Sequence, residues 1–163
     1  MIIILLYFFG NGKGKTTAGL GNLVRAKLHN KKVLLVHALK NATVESELFD
    51  TFCFGSPGFI YDEPKKEHFK LAEDAFKLIK EKSKDYDVIM FDELGMLLHY
   101  GLIDIDKVIL FLEQFVGEGY PVFIVTGRVC IVELEELADL VSEIKEIKHP
   151  YQKGIKALQG IDF

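Results

Sequence analysis

Gly10-Asn11-Gly12-Lys13-Gly14-Lys15-Thr16-Thr17 stands between an apolar run, Ile2 to Phe9, and a segment with helical spacing. A Gly-rich turn from strand to helix aims several backbone N–H groups into one concavity. The helix N-terminus adds partial positive charge there, so the turn suits phosphates. In such a loop Lys15 reaches the terminal phosphates and the Thr16 hydroxyl ligates Mg²⁺. The usual G-x-x-x-x-G-K-[ST] spacing wants Gly five residues before Gly14, where this chain has Phe9; its first Gly, Gly10, comes one residue late.

Working outward, Leu20, Leu23, Val24 and Leu28 mark one face of a helix from about Lys15 to His29. Ala18, Gly19 and Gly21 keep its early turns slim enough to lie close to a sheet. Val33 to Val36 is a second short apolar run, ending at His37-Ala38-Leu39-Lys40. Ligands of open α/β sheets collect beyond the carboxyl ends of the strands, so Lys40 is placed to meet phosphate or substrate. His37 reads as a hydrogen-bonded core residue. Residues Asn41 to Pro64 carry no sustained period but hold Phe49, Phe52, Phe54, Phe59 and Tyr61 around a Gly-Ser-Pro-Gly break. A connection of that length is usually functional; its aromatics form either a lid over a flat ligand or a satellite hydrophobic cluster.

Pro64 suits the first turn of an amphipathic helix carrying Phe69, Ala72, Phe76 and Ile79. The run Val88 to Phe91 ends in Asp92-Glu93, where an acidic side chain can bind Mg²⁺ directly or through water. Gly95 to Leu102 reads as a short turn or helix. Asp104 caps a helix with Ile105, Val108, Leu112 and Phe115, which Gly117 ends. Pro121 opens the strand Val122 to Thr126, followed by Gly127-Arg128. Arg128 offers a fixed fork of donors suited to a triphosphate, whereas Arg25 reads as solvated. Leu134, Leu137 and Val141 mark a last helix, and Lys145 to Phe163 an extended tail. Four or five strands alternating with helices predict an α/β fold with a mostly parallel sheet flanked by helices, as one phosphate-loop (P-loop, RecA-like) domain over residues 1–163.

Composition narrows the class. A net charge of −4 argues against a broad nucleic-acid surface. Cys53 and Cys130 have neither metal-ligand spacing nor partners for a disulfide framework, and read as reduced thiols of a cytoplasmic protein. The apolar start lacks the basic flank and cleavage site of a signal peptide and is too short to span a bilayer. These residues predict a Mg²⁺-nucleotide enzyme or switch without saying which.

Several stretches together resemble the P-loop ATP:corrinoid adenosyltransferases. The loop from Gly10 to Thr17, with its late first Gly, is similar to that family's version. Asp92-Glu93-Leu94, Thr126-Gly127-Arg128, Glu136-Leu137-Ala138-Asp139, Lys148-His149-Pro150 through Gly154, and Gly160-Ile161-Asp162-Phe163 resemble its other signatures. Gly58-Phe59-Ile60-Tyr61-Asp62 resembles a segment that carries two aromatics. The resemblance implies that a reduced corrinoid, as Co(I), attacks the 5′ carbon of the ATP ribose and that triphosphate leaves. It implies Glu93 as a Mg²⁺ ligand with Thr16, Lys13 and Lys15 as neutralisers of the departing charge, and Phe59 and Tyr61 as the aromatics that displace the lower axial ligand of cobalt. It further implies a homodimer served by a flavoprotein reductant. Three features depart from the family pattern: many relatives carry an N-terminal extension that helps close the corrinoid site, Phe9 replaces a hydroxyl residue, and Val129 replaces a Gly. An ATPase or small-molecule kinase, and a non-catalytic nucleotide-binding relative, stand as the alternatives.

Overall fold

A computed structural model describes residues 4–41, 43–56 and 63–161. Its sheet has six strands, all parallel, in the order β3-β2-β4-β5-β1-β6. The strands are β1 (Leu5–Phe9), β2 (Val33–His37), β3 (Asp50–Cys53), β4 (Val88–Asp92), β5 (Val122–Gly127) and β6 (Leu140–Glu143). The helices are α1 (Lys15–Leu28), α2 (Lys66–Lys82), α3 (Leu94–His99), α4 (Ile105–Glu113) and α5 (Val132–Leu137). Short 3₁₀ turns lie at Glu45–Glu47 and Pro150–Lys153.

The pleat divides each central strand between two apolar layers. Leu5 and Tyr7 of β1, Leu34 and Val36 of β2, and Ile89 and Phe91 of β4 face a layer closed by α2, α3, α4 and α5. Phe8, Leu35, Met90 and Ile124 face the other side, which Leu23 of α1 covers. Burial on both faces explains why these strands read as unbroken apolar runs rather than alternations. Gly19 lets α1 come down onto the sheet, because a Cβ there would lie 2.5 Å from Met90 Cε. Gly21 has no such reason: a Cβ there meets nothing within 4 Å. Leu28 and Phe69, expected on buried faces, are exposed.

Two edges differ from the sequence reading. The irregular stretch after β2 contains β3, which pairs in parallel with β2. The last helix stops at Leu137, and Val141 lies on β6 beside Tyr7. Asp139 decides this switch. Its carboxylate accepts the Ile4 and Leu5 amides at 2.8 and 3.0 Å, and its own amide donates to Leu5 O at 3.0 Å. Those bonds dock the chain on the free side of β1 and start the ladder that a continued helix would forgo.

Asp139→Ala should therefore destabilise the protein by about 1–3 kcal/mol, since two amides lose their acceptor. Urea unfolding reads this directly; an unchanged midpoint would remove Asp139 as the anchor of β6.

Candidate functional site

Three neighbouring strands bring polar residues together at their carboxyl ends: His37 ends β2 level with Asp92 at the end of β4, and Thr126 stands one residue before the end of β5. All three are buried. Asp92 gathers the others. Its Oδ1 accepts from Thr16 Oγ1 and from Thr126 Oγ1, each at 2.8 Å. Its Oδ2 pairs with His37 Nδ1 at 2.8 Å and faces Lys40 Nζ at 3.9 Å. An ionised carboxylate only accepts, so His37 Nδ1 carries the hydrogen here. Burial alone would push Asp92 up, but the His37 bond and charge, with Lys40 and Thr126, hold its carboxyl below the usual carboxylate range.

Glu93 is the opposite case. It sits in the left-handed region at φ 66°, ψ 20°, immediately before α3. Its amide donates to Thr126 Oγ1 at 2.8 Å, so one hydroxyl ties both acids together. A non-Gly residue held there stores roughly 1–3 kcal/mol of strain, and such residues cluster at functional sites. Gly127 makes the arrangement fit: a Cβ on it would lie 2.8 Å from Gly95 Cα in the first turn of α3. Glu93 Oε2 is buried without a hydrogen-bond partner. Burial, then the Asp92 charge, push its carboxyl above the usual range, against the pull of Lys15, Arg128 and Lys40.

The loop before α1 is shaped by what it rests on. Gly10, at φ 120°, donates its amide to Gly127 O at 3.2 Å, and Gly12 donates to Ile144 O at 2.8 Å. A Cβ on Gly10 would lie 2.3 Å from Ile144 O, and one on Gly12 2.7 Å from Lys145 C. Asn11 is turned the same way, its Oδ1 accepting from Glu146 N at 3.1 Å. Residues 10–12 thus seat on the chain leaving β6, and residues 13–17 form the rim at the start of α1. Lys15 is buried, its Nζ donating to Gly12 O at 2.6 Å, and burial lowers its pKa. Lys13 and Thr17 lie on the exposed rim.

A cavity of about 460 Å³ opens beside these groups, with Lys40, Glu93 and Arg128 on its polar side and Leu71, Met96 and Leu97 on its apolar side. Arg128 also borders a second depression, shared with Phe9, Asn11 and Lys145. The fold therefore places Lys15, Lys40, Asp92 and Arg128 within electrostatic reach of Glu93 and ties Thr16 to Asp92, while Asn11 faces the tail. Phe59 and Tyr61 lie outside the described residues. Among the described residues no cluster of three or more His, Cys, Asp or Glu side chains could hold a metal, and no helix is long and apolar enough to cross a membrane. The oxygen set of Thr16 and Glu93 nevertheless fits Mg²⁺, which takes one or two protein ligands plus phosphate oxygens and water. The structural parts of the site that sequence reasoning missed are His37 and Thr126 as partners of Asp92. Their signal was there, since each is the one polar residue closing an apolar run.

The family model described as ATP:corrinoid adenosyltransferase BtuR/CobO/CobP matches residues 2–163. The chain belongs to the ATP:corrinoid adenosyltransferase family. The corrinoid adenosyltransferase of Escherichia coli K12 is 33% identical over 171 residues, covering 98% of this chain and 85% of that protein. The one from Sinorhizobium is 35% identical, covering 94% and 77%. Corrinoid adenosyltransferase CobA of Salmonella typhimurium is 34% identical, covering 98% and 85%. ATP and a corrinoid are accordingly the substrates of this transferase family. The flagellar accessory protein FlaH of Methanocaldococcus jannaschii shares the fold, with a TM-score of 0.54 at 13% identity over 86% of this chain and 70% of that one.

Folding raises the pKa of the Glu93 carboxyl. The protonated form is the one the ligand-free fold favours, so its contribution is full below the usual value of 4.5 and is lost as pH rises through the raised value. Glu93→Gln, which fixes the neutral shape, should melt at higher temperature than the parent near pH 7, with the gap closing towards pH 4. A gap independent of pH would contradict the assignment.

Proposed function

We propose that the loop from Gly10 to Thr17 holds the triphosphate of ATP as a leaving group while the 5′-deoxyadenosyl group passes to the Co(I) of a corrinoid. The observation that carries this reading is the buried, unpartnered Glu93 Oε2, on a residue that lines the cavity and directly follows Asp92, the acceptor of the Thr16 hydroxyl. In the reaction a Co–C bond forms, the C5′–O bond breaks, and the electron pair departs with triphosphate. No water is activated, so the site needs positive charge and donors fixed in advance rather than a general base.

The residues divide that work. Lys15, released from Gly12 O, and Lys13 on the rim neutralise the phosphates, with the amides at the start of α1 supplying donors. The backbone of Gly10, Asn11, Gly12 and Gly14 shapes the cradle, and Thr17 extends its rim. Arg128 and Lys40 flank the departing charge from the carboxyl ends of β5 and β2. Thr16 and Glu93 would hold Mg²⁺, which when bound spreads the charge developing on the triphosphate. A Thr16 hydroxyl that donates to Asp92 keeps its lone pairs for that ion, so Asp92 acts from behind it. Phe59 and Tyr61 take the role that the family resemblance gives them, against the lower face of the corrinoid. The 163 residues work as one cytoplasmic domain, as a homodimer supplied by a flavoprotein reductant.

The leaving group tests this. Protein with Mg-ATP and chemically reduced corrinoid should give inorganic triphosphate and a light-sensitive alkyl-cobalt product in equal amounts, seen by ³¹P NMR and absorbance. Lys15→Ala and Thr16→Ala should lower the rate at least a hundredfold, consistent with losing charge stabilisation in a dry site. Phe59→Ala and Tyr61→Ala should spare ATP binding and slow the reaction begun from Co(II) with a reductant. Release of ADP and phosphate instead, with or without corrinoid, would overturn the reading.

A further inference from the structure

Strand β1 contains a polar atom that its packing does not require. Tyr7 is completely buried in the middle of the sheet, level with Val125 and Val141. Phenylalanine would fill the same volume. The hydroxyl instead reaches the chain between β5 and α5: it donates to Val129 O at 2.8 Å and accepts from Ile131 N at 3.1 Å. Burial pushes its pKa up to about 12, so the group remains a phenol, able to donate and accept at once.

The connection it holds is four residues long, Arg128 to Ile131, between the end of β5 at Gly127 and the start of α5 at Val132. Gly127 O is fixed by the Gly10 amide at the front of that connection. Tyr7 fixes the carbonyl one residue after Arg128 and the amide three residues after it. The backbone carrying Arg128 is thereby clamped on both sides, although the Arg128 side chain is exposed and has no regular element beneath it. A flexible arginine loses less by binding when its Cα is already placed.

We propose that Tyr7 is a positioning residue for the triphosphate, acting through Arg128 by pinning the backbone on which the guanidinium pivots. This rests on the assignment of Arg128 to the triphosphate site. Tyr7 itself is shut off from substrate and touches no reacting atom.

A double-mutant cycle tests it on the full chain with inorganic triphosphate as the probe. Tyr7→Phe keeps the ring and removes both hydrogen bonds. It should weaken triphosphate binding roughly tenfold, the size expected from one or two lost hydrogen bonds. In the Arg128→Ala background the same substitution should change binding less than twofold, because the group being positioned is gone. Melting temperatures of all four proteins separate a loss of stability from a loss of positioning. An equal factor in both backgrounds, or a lowered melting temperature with unchanged binding, would overturn the role of Tyr7 and leave Arg128 where it is. Undiminished binding by Arg128→Ala alone would instead remove Arg128 from the site, and the positioning role with it.

Discussion

The carboxylate of Asp92 is the interaction on which the site depends. It is buried, ionised and surrounded by donors from β2, β5 and the first turn of α1. Leaving such a charge with fewer partners is costly, because water cannot replace them. Meeting that demand obliges Thr16, His37 and Thr126 to converge, and so fixes the phosphate loop against the ends of the central strands. Asp92 spends its own lone pairs on this work. Glu93, one residue further on, is left with an oxygen that has no hydrogen-bond partner.

That pairing gives two adjacent acids different chemistry from their surroundings alone. Three hydrogen bonds and a nearby ammonium hold Asp92 below the usual carboxylate range, whereas burial beside a like charge raises Glu93 above it. The same economy appears in Tyr7 and Asn11, whose polar atoms brace loop backbone.

Much of this was legible in the sequence. The central strands announce themselves because burial on both faces demands continuous apolar runs, and the loop because few other uses exist for Gly-Lys-Thr-Thr after such a run. The edge strands did not. β3 is four half-exposed residues with no apolar run, and Leu134, Leu137 and Val141 have a helix-like spacing that the backbone bonds of Asp139 override. The acids were found as a pair, and the family resemblance singled out Glu93 for Mg²⁺; the bonds that tie up Asp92 were not legible, since they depend on β2 and β5 flanking β4, which spacing along the chain does not encode. Phe9, the odd residue before the loop, packs its ring against Tyr7 at 5.4 Å and passes its carbonyl to the Ile144 amide.

The central claim is that Glu93 meets the cation while Asp92 holds the scaffold. Binding of Mn²⁺ in the ATP complex, followed by electron paramagnetic resonance in Glu93→Gln and Asp92→Asn, addresses it most directly. The account predicts that Glu93→Gln loses tight Mn²⁺ binding while remaining folded and still binding ATP, and that Asp92→Asn loses stability first. Tight Mn²⁺ binding retained by Glu93→Gln, and abolished in a fully stable Asp92→Asn, would contradict it.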